Sequence, residues 1–278
     1  MQNTELRALI SLLDDPDANI YNEIKRKIIS YGDEVIPHLE DVWENSFDHV
    51  LQTRIEDIIH HLQFDSIKKG LANWKNSPEK DLIEGAIIIA KYQYPDLEDQ
   101  KIRDYINLLT QEIWLELNDK LTALEQVKVL NKFIFEIHHF YGNTKNINSP
   151  RNSYINNVIE SKKGNPITLG IIYVAICKKL NIPIYGVDVP AHFILAYAEI
   201  PRHVLFYINV FNKGTVFSNF DIDKFLEQLK KEPKEEYYIP CTNTIIIQRL
   251  IQHLVYTYDN LGYIDKKEEL MELLEILS

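Results

Sequence analysis

Glycine is scarce in this sequence, with only 9 Gly among 278 residues. Glycine-rich phosphate-binding loops and turn-dense all-β sandwiches both depend on glycine, so the low count disfavours them and favours helix. Cysteine is scarcer still, and the two cysteines, Cys177 and Cys241, form neither a metal-spaced pair nor a disulfide framework. We therefore expect a protein of a reducing compartment, the cytoplasm, without a structural metal.

An excess of positive charge is also missing, because 30 basic residues face 41 acidic ones and the net charge is −11. The basic residues are scattered, so a polyanion would be repelled and we expect neither nucleic acid nor a membrane as a partner. The longest charge-free apolar stretch, Gly164 to Cys177, contains Pro166 and is too short to span a bilayer. Residues 1–7 lack the basic-then-apolar order of a signal peptide.

Apolar residues recur at helical spacing through the first 65 residues. They predict short amphipathic helices separated by an Asp-rich turn at residues 14–17, with Pro37 inside the second pair. This pattern is typical of HEAT-type repeats over residues 1–65, and a plain helical bundle is the alternative. The length of the chain leaves ample room for a larger domain after this segment.

The middle of the sequence predicts more helices over residues 66–141 and a loop over 142–153. Asn165 and Pro166 then have the order of an N-cap and a first helical residue, where a missing N–H costs nothing. The residues that follow, as far as Leu180, are apolar around nearly the whole helix circumference. We therefore expect this helix to be buried on all sides.

Three strands are predicted next, over residues 182–189, 191–199 and 204–210, separated by Pro190 and by Pro201-Arg202. An antiparallel meander is the simplest arrangement. A short turn between the last two strands implies an odd sum of paired residue numbers, which places His192 and Asn209 on the same face of the sheet.

The last segment, residues 241–278, returns to helix. Two apolar stripes separated by Gly262 predict a hairpin similar to one tetratricopeptide-type unit. One such unit is too short to stand alone, so we expect it to pack on the preceding domain.

Several short segments carry a further signal by their order and spacing. They are Asp81–Ala86 with Tyr94–Asp96, Asn152–Ile155, Lys163–Leu169, Val189–Phe193 and, more weakly, Ile208–Asn212. Together they resemble the SirB-type, transglutaminase-like family of bacterial proteins. The family usually shows Gly before this histidine and Asp-Pro in place of Asn209-Val210, and the sequence departs from the family at both places.

The resemblance implies a fold. It is an α+β, predominantly helical fold with a papain-like, transglutaminase-like core over residues 66–240, in which a central buried helix begins against a small antiparallel sheet. The HEAT-like helices of residues 1–65 and the tetratricopeptide-like hairpin of 241–278 flank this core.

The resemblance also implies three site positions. In active transglutaminases and thiol proteases, a cysteine at the helix start is the nucleophile, a histidine takes its proton and an acid orients the imidazole. These positions correspond here to Pro166, His192 and Asn209. Proline has no nucleophile, and asparagine accepts a hydrogen bond without stabilising an imidazolium by charge.

Other residues offer weaker replacements for the missing cysteine. Thr168 lies two positions further into the same helix, although a threonine there more often bonds local backbone. Cys177 lies about three turns along and is expected to be an inert core thiol. His192 itself fits either a vestigial or repurposed site or a satisfied core histidine. The adjacent histidine pairs, 60–61 and 138–139, project apart on a helix and are poor metal ligands.

Three hypotheses about function follow. The first is a catalytically degenerate, regulatory or interaction module that binds a protein or peptide, without cofactor or metal. The second is a hydrolase or acyl transferase in which His192 is the general base, Asn209 orients it, and water or Thr168 is the nucleophile. The third is a scaffold whose cleft is filled by side chains and binds nothing.

Overall fold

The computed structural model describes residues 2–200 and 203–278. It divides into two compact units, Met1–Gly70 and Leu71–Ser278. The protein is predominantly helical with small sheets, as expected of an α+β protein. The helices are α1 (Gln2–Ile10), α2 (Ala18–Ile29), α3 (Ile36–Asn45), α4 (His49–Asn76), α5 (Leu82–Lys91), α6 (Asp99–Glu116), α7 (Ala123–Asn131), α8 (Ile155–Ser161), α9 (Pro166–Lys179), α10 (Asn219–Gln228), α11 (Asn243–Leu261) and α12 (Ile264–Leu277). The strands are β1 (Tyr141–Gly142), β2 (Lys163–Gly164), β3 (Ile184–Val189), β4 (His192–Ile200), β5 (His203–Asn209) and β6 (Thr215–Phe217).

The first unit contains α1 to α3 and most of α4. Its core consists of apolar side chains from the predicted helical stripes, among them Leu13, Ile28 and Leu39. The turn between α1 and α2 is held by the Arg54 guanidinium, whose Nη1 donates to the carbonyl oxygens of Leu13 and Asp15, each at 2.7 Å. One cation therefore satisfies two backbone acceptors that follow the end of α1.

Helix α9 is the centre of the second unit. Every residue from Ile167 to Cys177 is buried, which confirms the prediction of a helix covered on all sides. The helix starts as the sequence predicts, because Asn165 Oδ1 accepts the backbone N–H of Thr168 at 2.8 Å and Pro166 is the first helical residue. Strands β3 and β4, along with α5, α6 and α11, pack against it.

The main sheet is an antiparallel meander in the order β3-β4-β5-β6. The three predicted strands are present, and β6 is a further strand of three residues. In the middle of the sheet Leu195 pairs with Ile208, so the sum of the paired numbers is odd, as predicted. A register shift follows Tyr197, and the predicted turn at Pro201-Arg202 lies outside the described residues.

The helices α11 and α12 form a hairpin at the end of the sequence, with Gly262 in the left-handed conformation (φ 79°) at the break. Polar contacts join this hairpin to the segment after α5: the Tyr92 hydroxyl donates to Glu269 at 2.6 Å, and Lys266 donates to Gln93 at 2.6 Å. Among the described residues, no helix has both the length and the apolar character needed to cross a membrane.

Candidate functional site

A cleft of about 800 Å³ lies at the N-terminal end of α9, and we call it the α9 cleft. Its walls come from the start of α9, the β3–β4 turn, the end of β5, α10 and α11. A second cavity, of about 610 Å³, is lined by residues 93–98 and by parts of α6 and α8. That cavity contains none of the predicted site residues, so the α9 cleft is the candidate site.

Pro166 lines the α9 cleft at the position where the resemblance places a nucleophile. Neither thiol lines the cleft. Cys177 is fully buried inside α9, and burial raises the pKa of its thiol. Burial, with a smaller contribution from the carboxylate of Asp188, raises the pKa of Cys241 to about 12. Both thiols are therefore protonated at neutral pH and unsuited to nucleophilic attack.

His192 is the first residue of β4 and is exposed on the wall of the cleft. Its ring packs against Phe225 of α10, with 4.3 Å between ring centroids. This partial burial lowers the pKa of His192 below its ordinary value, so the imidazole is neutral at pH 7. Among the described residues, no hydrogen bond involves the ring nitrogens of His192.

The residue before this histidine has an unusual backbone. Ala191 has φ 60°, the left-handed conformation in which glycine carries no steric cost, and an alanine there costs about 1 kcal/mol. The positive φ at this position explains why the family that the sequence resembles usually has glycine here. In this protein the same turn is built with a small strain.

Asn209 lines the cleft at the end of β5. The odd register of β4 and β5, continued by one pair from Leu195 and Ile208, places Asn209 on the same face as His192. Its side-chain oxygen accepts the backbone N–H of Asn212 at 3.2 Å, and so caps the short helical turn that follows. The described hydrogen bonds do not join Asn209 to His192, and its orienting role stays a prediction.

Thr168 is separated from the cleft. It is completely buried, it does not line the cleft, and its hydroxyl has no hydrogen-bond partner in the part of the sequence that the structure describes. The structure therefore brings Pro166, His192 and Asn209 around one cleft and places Thr168 in the core beside it. A nucleophilic role for Thr168 stays a prediction.

Helix α11 adds two polar residues that the sequence did not reveal, Arg249 and His253. They lie one helical turn apart and both line the cleft. Arg249 Nε is 2.8 Å from Oδ1 of Asp188, a carboxyl whose pKa burial raises and Arg249 lowers. His253 Nδ1 is 3.1 Å from Ser153 Oγ. Burial, and secondarily Arg249, lowers the pKa of His253.

The sequence contained only a faint signal for this wall. Arg249 and His253 are spaced i, i+4 beside an apolar stripe, which is the ordinary pattern of a packed amphipathic helix. Neither belongs to a motif, and Ser153 is 100 residues away from its histidine partner. No group of three or more His, Cys, Asp or Glu side chains within residues 2–200 and 203–278 could hold a metal ion.

The sequence is similar to proteins of a known superfamily. Residues 100–252 match the family model described as Transglutaminase-like superfamily. A UPF0162 protein of Xylella fastidiosa (strain Temecula1) is 34% identical over 131 residues, which are 44% of this protein and 45% of that one. A UPF0162 protein of Vibrio cholerae is 25% identical over 146 residues, 52% of this protein and 53% of that one.

A more distant relative is the human F-box only protein 21, which is 22% identical over 187 residues, 56% of this protein and 30% of that one. The matches therefore span about half or less of each relative's own length. No solved structure matches the protein significantly.

Proposed function

We propose that this protein, which belongs to the transglutaminase-like superfamily, binds a protein or peptide in the α9 cleft and does not catalyse thiol-dependent acyl transfer. One observation carries the proposal. The helix start that faces the cleft presents Pro166, a residue with neither a nucleophilic atom nor an N–H, and both thiols of the protein lie elsewhere. A cleft that lacks the cysteine sulfur can no longer form a thioester, but it can still bind a protein or peptide.

The shape and lining of the cleft support a peptide ligand. Its volume of about 800 Å³ is in the usual range for ligand sites, and its walls are largely apolar and aromatic with a few polar groups. The cleft is open, which argues against a scaffold plugged by its own side chains.

The finer assignments belong to the same proposal. We assign the protein to the SirB-type subgroup on the motif residues quoted above, with HEAT-like helices over 1–65, the transglutaminase-like core over 66–240 and a tetratricopeptide-like hairpin over 241–278. We place it in the cytoplasm, because both cysteines are free and partly or fully buried. Helical hairpins of this kind commonly serve as binding surfaces.

A blocking substitution tests the proposal. The full-length protein is immobilised and exposed to a pool of random-sequence peptides, and the dissociation constants of the retained peptides are measured by fluorescence polarisation. Gln252→Trp introduces a large ring at an exposed position that lines the cleft. Because that ring occupies ligand space, we expect the dissociation constant to rise by about 10-fold or more.

Asn260→Trp is the matched control. Asn260 is exposed on the same helix and does not line the cleft, so binding should be unchanged. If the protein retains no peptide, or if both tryptophan variants bind as the wild type does, the proposed function is wrong.

One observation supports a second candidate function. In this alternative the protein is a hydrolase in which His192 is the general base that takes a proton from water. The exposed imidazole is neutral because partial burial lowers its pKa, and a neutral imidazole can accept a proton. This candidate predicts slow turnover in a panel of esters, amides and isopeptides, and a loss of about 10²-fold in His192→Ala. Peptide binding without turnover, or equal rates for the two proteins, would eliminate it.

A further inference from the structure

A one-way series of hydrogen bonds runs from the backbone of α9 to the ring of His253. The N–H of Thr168 donates to Asn165 Oδ1 at 2.8 Å, which leaves Asn165 Nδ2 as a donor. That amide donates to Ser153 Oγ at 2.9 Å, and the Ser153 hydroxyl lies 3.1 Å from His253 Nδ1. Because a backbone N–H only donates, it fixes the orientation of the Asn165 amide, with Oδ1 as the acceptor and Nδ2 as the donor.

The available acceptors determine where His253 carries its proton. Ser153 Oγ accepts from Asn165, and among the described residues His253 Nδ1 is the acceptor in reach of the Ser153 hydroxyl proton, so the arrangement that uses this proton has Nδ1 as an acceptor. The second contact to Nδ1, from Asn165 Nδ2 at 3.5 Å, also comes from a donor. The neutral ring therefore carries its proton on Nε2. Ser153 and Asn165 are only 1% and 2% exposed, so water does not disturb this arrangement.

This proton is available to a ligand. His253 lines the α9 cleft, and its Nδ1 edge is held by the buried pair Ser153 and Asn165. The opposite edge, with Nε2, has no hydrogen-bond partner among the residues that the structure describes. Burial and the nearby Arg249 lower the pKa of His253, which keeps the ring a neutral donor at pH 7.

Arg249 supplies the charge beside this donor. Its Nε is close to Asp188 on β3, but the described hydrogen bonds do not use its two terminal nitrogens. Both residues line the cleft, and within the described residues neither the terminal nitrogens of Arg249 nor His253 Nε2 has a hydrogen-bond acceptor. A donor set of this kind, which includes a guanidinium, matches an anionic oxygen ligand such as a carboxylate.

The other walls determine what accompanies the anion. Phe211, Phe217 and Phe225 line the cleft together with Tyr256, and they form an aromatic surface for one large apolar side chain. Asp221, also on the cleft, accepts hydrogen bonds from Ser218 at the start of α10 and keeps its charge. That negative charge disfavours a dianion such as phosphate and leaves a single carboxylate as the better match.

We propose that the α9 cleft recognises a peptide carboxylate adjacent to a large apolar side chain, with the carboxylate bound by His253 Nε2–H and Arg249. The inference rests on the proposed function, because it names the chemistry of the peptide that the cleft binds. An acidic side chain and a peptide's free C-terminus both supply such a carboxylate. His253 is then the functional histidine of the cleft, in place of His192.

Three fluorescein-labelled probes test this inference on the full-length protein. The first carries Phe-Glu inside Gly-Ser flanks with an amidated C-terminus, the second replaces Glu by Gln, and the third ends in Phe with a free carboxylate. Because a hydrogen bond to a charged group is roughly twice as strong as one between neutral groups, we expect one or both carboxylate probes to bind at least about 10-fold more tightly than the Gln probe.

Two substitutions of His253 separate recognition from structure. His253→Gln retains a donor near the position of Nε2, and we expect it to keep most of the preference for carboxylate. His253→Asn retains an oxygen that accepts from Ser153, but its side chain is too short to donate to a ligand in the cleft. We expect this variant to lose the preference for carboxylate and to have a thermal unfolding temperature close to that of His253→Gln.

The outcomes distinguish the two proposals. Binding that Gln252→Trp abolishes, but that shows no preference for carboxylate or keeps it in His253→Asn, overturns this inference and leaves the proposed function intact. Failure of all three probes, together with failure to retain any random-sequence peptide, overturns both.

Discussion

Gly214→Ala is expected to lower the free energy of unfolding by about 3 kcal/mol. Gly214 has φ 71°, and a Cβ atom there would lie 2.0 Å from Asn131 Oδ1. The Asn131 side chain cannot move away freely, because its Nδ2 donates to the Gly214 carbonyl at 2.9 Å and its Oδ1 accepts from Tyr173 at 3.1 Å. The substitution therefore combines backbone strain with a clash against an anchored side chain.

Gly262→Ala is the matched control for this prediction. Gly262 has nearly the same backbone conformation, φ 79°, but a Cβ atom there would meet no atom within 4 Å. The same substitution then carries only the left-handed cost of about 1 kcal/mol. Urea denaturation of the two variants measures the difference, and equal losses of stability would show that the Asn131 contact does not contribute.

Pro166→Cys is expected to create the most reactive thiol of the protein. The new thiol lies in the first turn of α9, where the positive end of the helix lowers a thiol pKa below about 8.5. The pKa of Cys241 is about 12 and that of Cys177 is also raised by burial. The difference in thiolate population predicts alkylation by iodoacetamide at pH 7 about 10³-fold faster than at the native thiols.

The control for the reactive thiol is Gln228→Cys, at the last residue of α10, which is exposed and near the negative end of a helix. Intact-mass measurements of alkylation between about pH 6 and 9.5 give an apparent pKa for each new thiol, the range being chosen to bracket the ordinary value of about 8.5. We expect the value for Pro166→Cys to be the lower of the two. Equal pKa values would mean that the start of α9 does not stabilise a thiolate. The position would then lack the electrostatic environment of a reactive cysteine as well as the sulfur atom.

Much of the fold that surrounds the cleft could be predicted from local sequence. The start of α9 follows from Asn165 and Pro166, because a cap and a proline act over one helical turn. Burial of that helix follows from apolar residues on every face. The common face of His192 and Asn209 follows from the odd parity of the antiparallel pair, which the two register shifts near Ala198 leave unchanged at Leu195 and Ile208.

The remaining features depend on contacts that local patterns do not contain. Strands β1, β2 and β6 have two or three residues each, too few for an alternating pattern to show. The wall formed by Arg249 and His253 depends on Ser153, which folding brings to α11 from the end of the loop predicted over residues 142–153. Thr168 lies off the cleft for a related reason, because two residues along a helix turn a side chain away from the cleft that the first residue faces.

The side-chain amide of Asn165 makes two hydrogen bonds with two different consequences. Its oxygen starts the central helix and its nitrogen sets the proton on a recognition residue in another helix. Aspartate and serine are about as good as asparagine at the start of a helix, and threonine is somewhat weaker, yet none of the three has an amide nitrogen that could donate to Ser153 while the side-chain oxygen accepts the backbone N–H. One amide group therefore serves both folding and ligand recognition. A variant at position 165 that still starts α9 correctly can still lose the hydrogen bond that orients Ser153 toward His253.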